Sequence, residues 1–218
     1  MATPHVAGVA ALIKQKYPSW SPAAIASAIM TTANMSDSSG LPTLAQRSSE
    51  VTAATPFDCG AGFINPAKAI DPGLIFDIEY KSYIQFLCAV PGVDDESVSR
   101  AVGTKCPSPG IEWCSDLNTA SVTVANLVGS RRVQRRVTSV GENVERYTVV
   151  VREPAGVEVM VKPQAFKISP NATRAVRIDL VAREVTNAFT FGEVVLHGDH
   201  QHRVRIPLAV FVSSTLSG

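Results

Sequence analysis

Two periodicities divide this chain. Near the start, "MATPHVAGVAALIKQK" predicts a helix from about Pro4 to Lys16. Val6, Ala7, Val9, Ala10, Ala11, Leu12 and Ile13 point in nearly every direction around it. A helix that is apolar all round is one that is buried on all sides. A second helix is predicted from Ser21-Pro22, because Ser caps helix N-termini and Pro suits the first helical position. Ile25, Ala28 and Ile29 then form a stripe at helical spacing. Residues 34–56 are polar and rich in Ser and Thr, which predicts a surface loop. In "GAGFINPAKAIDPGL" the glycines and prolines mark tight turns around one short helix.

Residues 77–115 read as a helical connector. "EYKSYIQFLCAV" puts Tyr80, Tyr83, Ile84, Leu87 and Cys88 on one face, and "DDESVSRAVG" predicts a short capped helix ending at Gly103. From residue 116 to 214 the period changes to two. Candidate strands are Ser121–Leu127, Arg132–Val140, Arg146–Arg152, Val157–Val161, Ala175–Val181, Thr190–Leu196 and His202–Val212. Seven short strands in a stretch of that length predict a small β-sandwich of immunoglobulin or fibronectin type.

Composition adds exclusions. The chain has 218 residues, 45% hydrophobic and 18% charged, which is ordinary for a globular protein. A net charge of +1 gives no electrostatic case for nucleic acid or an anionic membrane. The densest basic run, Arg131 to Arg136, reads as a strand whose arginines cover a solvated edge. The apolar run Val6–Ile13 is too short to span a bilayer, and the opening residues lack the order of a signal peptide.

Of the four cysteines, Cys59, Cys88, Cys106 and Cys114, no two have CxxC spacing, which argues against zinc. Cys88, Cys106 and Cys114 lie close together in sequence around the connector. One disulfide is expected among them, with Cys88–Cys106 preferred, and Cys59 is expected to be a small buried residue. Asn34-Met35-Ser36 and Asn171-Ala172-Thr173 are glycosylation sequons. Together with the cysteines they favour an oxidising, secretory setting. In "HGDHQH", Gly198-Asp199 is expected to make a hairpin turn, with His197, His200 and His202 as solvated rim residues. No metal or other cofactor is expected.

The opening motif narrows the reading. "MATPHVAGVAALIKQKYPSWSPAAIASAIMTTA" resembles the segment that follows the nucleophile in subtilisin-like serine proteases, Gly-Thr-Ser-Met-Ala-x-Pro-His-Val-Ala-Gly. "TPFDCGAGFINPAKAIDPGLIFD" resembles the end of the plant subtilase catalytic domain. "DLNTASVTVANL", "RRVTSVG", "ERYTVVV" and "HRVRIPLAV" resemble the fibronectin-III-like domain of the same enzymes. Phe63, Cys59, Ser139 and Ala120 depart from the family's usual residues.

The resemblance implies an α+β chain: a helical C-terminal remnant of an α/β subtilisin domain (1–76), a helical connector (77–115) and an all-β fibronectin-III-like sandwich (116–214). Met1, Ala2, Pro4, His5 and Gly8 are then the motif remnant. The nucleophilic Ser is expected immediately before Met1, with the Asp, the His and the oxyanion-hole Asn further upstream, the chain order of subtilisin itself. The chain's opening is thus read as a cut edge, and His5 as a buried structural residue rather than a base.

Two functions compete. In the first, the chain is the C-terminal portion of a secreted, apoplastic plant endopeptidase that acts on protein or peptide substrates, and it is inactive alone. In the second it is a binding or structural module acting through its β-domain, for instance in dimer contacts with other subtilases. The apolar first helix, which invites aggregation when unpacked, argues for the first.

Overall fold

A computed structural model of the chain describes residues 2–37, 39–47, 49–107, 111 and 113–214. The chain begins with two helices, α1 (Ala2–Lys16) and α2 (Pro22–Thr31). The Ser21 hydroxyl accepts the Ala24 N–H at 3.0 Å, which satisfies one of the donors left open at the start of α2. A hairpin of β1 (Leu44–Arg47) and β2 (Glu50–Ala53) follows, then the one-turn helices α3 (Pro56–Cys59) and α4 (Pro66–Ala69), and the short strand β3 (Leu74–Ile75). α5 (Tyr80–Cys88) and α6 (Asp95–Val102) form the connector, and a 3-10 turn spans Cys114–Asp116. Gly103 closes α6 at φ 74°, a left-handed cap that glycine adopts without steric cost.

Eight strands complete the chain: β4 (Val122–Leu127), β5 (Ser130–Ser139), β6 (Glu145–Arg152), β7 (Val157–Lys162), β8 (Ala165–Ile168), β9 (Thr173–Ala182), β10 (Thr190–Gly198) and β11 (Arg203–Val212). With β3 they form a five-stranded sheet, β4-β11-β10-β6-β8, stacked against a four-stranded sheet, β3-β5-β9-β7. The pairing is antiparallel except for β4 beside β11. Inward positions recur every second residue, as at Val157, Val159 and Val161, and they fill one large core with Leu180, Leu196, Ile206 and Leu208. The helices keep a smaller core of Val9, Ile13, Ala24, Ala28, Ala69 and Ile75. β3 joins the two layers, because it pairs with Thr138 and Ser139 of β5 while Ile75 faces the helices.

Several expectations change. Residues 34–56 are not all loop, since β1 and β2 pair from Leu44↔Ala53 to Arg47↔Glu50. Leu44 and Val51 stay exposed, so no burial pattern marked these strands. "GAGFINPAKAIDPGL" holds the one short helix expected, α4, and a further one-turn helix, α3, precedes it. β3 and β8 were not anticipated, being two and four residues long. On α5 only Ile84 is buried, and Tyr80, Tyr83 and Leu87 face solvent.

The arginine run also differs. Arg135 points inward and is 1% exposed, with its Nε, Nη2 and Nη1 donating to the carbonyls of Thr119, Ser121 and Gln134 at 2.9, 2.8 and 3.0 Å. Burial lowers its pKa to about 10, and Asp116 partly opposes that fall. Arg132 and Arg136 do face solvent. The open edge of β5 is stopped by Asn118, whose side chain donates to Arg136 O and accepts from Arg136 N, at 2.9 and 2.8 Å.

Candidate functional site

The face of α1 carries the sequence motif, and it is open. Val9 and Ile13 are the buried residues of this helix, packed toward α2 and α4. Ala2 through Gly8 are exposed, His5 among them. This corrects the expectation of a helix buried on all sides with His5 inside it. Among the described residues, burial on α1 is confined to the Val9–Ile13 stripe, and most of its remaining apolar surface is exposed. A Cβ added at Gly8 would touch nothing within 4 Å, although a helix glycine usually lets another segment close in. Met1 lies outside the described residues.

Two grooves flank α1 and share Val6, Ile29 and Met30. One, of about 400 Å³, runs along Ala2, His5, Ala33 and the 61–64 segment. The other, of about 650 Å³, runs along Ala10, Ala11, Trp20, Pro22 and Ile25. Among the described residues lining the first groove, His5 is the titratable one, and the rest are apolar or glycine. A continuous apolar surface of this kind is a packing face.

The floor of the first groove depends on Gly62. Its φ is +117°, and a Cβ there would lie 2.3 Å from the Asn34 carbonyl oxygen, in a place where Asn34 and Phe63 exchange two backbone hydrogen bonds of 2.8 Å. Asn34 remains exposed, as does Asn171, which sits in the turn between β8 and β9 at φ +61°. Cys88 and Cys106 form a disulfide that ties the end of α5 to the segment after α6. Cys59 is half-buried and donates its thiol to the Thr55 carbonyl. Burial holds that thiol above its ordinary pKa, against the Arg205 charge, and so disfavours the nucleophilic thiolate.

Behind α1 the two layers meet over buried charge. Glu145, 3% exposed, receives the Tyr147 hydroxyl at 2.6 Å and the His200 N–H at 3.2 Å. His202 Nδ1 lies 2.8 and 2.9 Å from its two oxygens, while His202 Nε2 lies 3.2 Å from Asp71 Oδ1. Burial alone would lower the His202 pKa, but Glu145 and Asp71 outweigh it and hold the imidazole above its ordinary value. Burial, then the Glu145 carboxylate, raises the Tyr147 hydroxyl far above its usual range. This corrects the reading of His202 as a solvated rim residue. The turn it ends also differs, running from Gly198 to His202, with the Gly198 N–H bonded to His202 O.

A second crossing point uses Arg205, 1% exposed, which pairs with Glu193 and donates from Nη1 to the Ala61 carbonyl at 3.0 Å. Burial would raise the Glu193 pKa, yet Arg205, with Arg152 and Arg203, holds it below its ordinary value.

Neither cluster was recognised in the sequence, though one signal existed. Glu145 and Tyr147 occupy inward positions of a period-two strand, where a carboxylate requires a buried partner. Among the described residues none of these groups forms a Ser-His-Asp arrangement, because the partners of His202 are two carboxylates.

Comparison with known proteins agrees with this layout. Residues 1–62 match the Subtilase family and residues 116–210 match a Fibronectin type-III domain. Subtilisin-like protease SBT2.6 and Subtilisin-like protease SBT2.5, both of Arabidopsis thaliana, are each 44% identical over 213 residues, which is 95% of this chain. The chain spans about a quarter of their length (26%). Among solved structures, the CupB2 chaperone of Pseudomonas aeruginosa aligns over 46% of this chain and 56% of its own at 16% identity, with a TM-score of 0.36, a likeness too slight to bear on function.

Proposed function

The chain belongs to the subtilase family, and from that premise we propose that it is the C-terminal portion of a subtilisin-like serine endopeptidase. In that reading α1 stands directly behind the nucleophile. Peptide-bond hydrolysis through an acyl-enzyme belongs to the whole enzyme, and the portion described here supplies the helix, part of the catalytic-domain packing and the β-sandwich. The observation that carries it is the open apolar face of α1, which holds the family motif and is flanked by grooves shared with α2. A helix N-terminus behind a nucleophile stabilises developing negative charge through its backbone N–H groups.

Residues 1–218 alone are then without peptidase activity, since the described residues assemble no nucleophile with a base. The test is a chimera in which this chain replaces the C-terminal quarter of SBT2.6. Peptidase activity sensitive to a serine-directed inhibitor supports the proposal, provided the chain alone gives none. A soluble, well-folded chimera without activity, or activity from the chain alone, overturns it.

The parent is further proposed to be a secreted plant glycoprotein acting on protein or peptide substrates. The exposure of Asn34 and Asn171 is in keeping with this. A second reading, a binding or structural module, draws on the sandwich having a core of its own in addition to the residues it shares with the helices. Cooperative melting of residues 116–214 alone, with binding to an intact subtilase, would favour that reading.

A further inference from the structure

We propose that His202 is a proton-operated latch between the two layers: as imidazolium it bridges Glu145 of the sandwich to Asp71 of the helical layer, and as the neutral ring it releases Asp71. The argument is geometric. Both ring nitrogens face carboxylates, Nδ1 toward Glu145 and Nε2 toward Asp71. Only the imidazolium can donate to both, because a neutral ring carries one N–H.

The ring is closely packed. A Cβ on Gly73 would fall 2.6 Å from His202 Cγ and 2.5 Å from the Tyr147 hydroxyl, so the Gly73 backbone lies close against both side chains. Across the site, a Cβ on Gly198 would fall 2.0 Å from Glu145 Oε1. Glu145 is buried and needs the Nδ1–H, whereas the Asp71 side chain is 62% exposed and can turn to water. Loss of the proton therefore leaves a lone pair on Nε2 facing Asp71, and the bond to the helical layer is the one that breaks.

The other charged and titratable groups around the ring come from each neighbouring element. Lys16 ends α1, Tyr17 follows it, and both line the same cleft, with Lys16 Nζ and the Tyr17 hydroxyl each bonded to Ile70 O. Glu142 lies in the β5–β6 turn, Tyr147 on β6, and Asp199 and His200 in the β10–β11 turn. The raised His202 pKa places the transition above the ordinary histidine range. This inference goes beyond the protease reading, since it concerns only contacts within this chain.

The test is an NMR titration of the full chain with amide exchange followed at the same pH values. Leu74 and Val140 report on the segment, because Leu74 N–H bonds Pro72 O and Val140 N–H bonds Gly73 O. His202 is expected to titrate above the ordinary histidine value. Protection of these amides, corrected for intrinsic exchange, is expected to fall about two- to fivefold as His202 loses its proton, the size of a half-exposed ion pair. Asp71→Asn keeps the Glu145 contact and the fold, and it should lower the His202 midpoint and remove most of the fall in protection. An ordinary His202 midpoint, pH-independent protection, or an Asp71→Asn variant that behaves as wild type would each overturn the proposal.

Discussion

Nδ1 of His202 lies 2.8 Å from Oε2 of Glu145, a carboxylate that β6 carries into the interior. Strand β6 and the turn before β11 are joined here by charge rather than by apolar contact. A buried carboxylate is costly unless it is paired and hydrogen-bonded, and Glu145 has three donors.

Glu145→Gln should therefore destabilise the chain and alter how its stability depends on pH. His202 has a raised folded-state pKa, so its contribution is fully present below the unfolded histidine pKa of about 6.5 and is lost as pH rises through the higher folded value. Wild type should lose stability as pH rises above about 6.5 on this account. The variant should lose about 1–3 kcal/mol at pH 5.5 and a smaller amount at pH 8.5. Urea midpoints at the two pH values measure both; an equal loss at each would show that His202 is not the coupled group.

Arg135 and Arg132 should behave oppositely though they share β5. Arg135→Ala removes the guanidinium donor to the Thr119 carbonyl and one of two donors to the Ser121 carbonyl, and opens a cavity, a cost of about 2–4 kcal/mol. Arg132→Ala removes an ion pair to Asp179 from a side chain that is 68% exposed, and should change stability by less than about 0.5 kcal/mol. Denaturant unfolding of both variants checks the contrast.

Gly62 and Gly8 offer a second contrast. Gly62→Ala forces a Cβ against the Asn34 carbonyl at a positive φ, and should cost about 1–3 kcal/mol. Gly8→Ala meets open space in the middle of a helix and should stabilise the chain alone by about 0.5–1 kcal/mol. In the SBT2.6 chimera the same Gly8→Ala change should lower activity if another segment packs there. Thermal melts of the chain and assays of the chimera separate these effects.

Reduction of Cys88–Cys106 should act locally. The bridge spans a sequence separation of 18, and its removal should cost about 3 kcal/mol within the connector. Hydrogen exchange of a Cys88→Ser variant should show α5 and α6 opening while β10 and β11 keep their protection. Uniform loss across the sandwich would show that the connector is part of its cooperative unit.

Local chemistry explains which features were legible. Ser21-Pro22 announced α2 because the cap and the first turn are built from neighbouring residues. Gly103 marked the end of α6 for the same reason. The large strands of the sandwich were visible because burial on one face imposes a period of two. The β1–β2 hairpin was not, since none of its side chains among the described residues is fully buried. Helix α1 was read as apolar all round, which it is. Its exposure follows from which segments pack on it, and that is not a local property.

By itself the sequence determined the subtilase motif on α1, the division into helical and β-rich parts, and the inward face of the long strands. Each is written in residues within a turn or a strand of one another. Only the tertiary structure decided that Arg135 turns inward to three carbonyls, that β3 crosses into the sheet of the sandwich, and that Asp71, Glu145 and His202 meet. Apart from the Arg135 bond to the adjacent Gln134, those contacts join residues far apart in the chain. Their strength comes from burial, which excludes water from competing for the same donors and acceptors, and burial exists only once both layers are assembled.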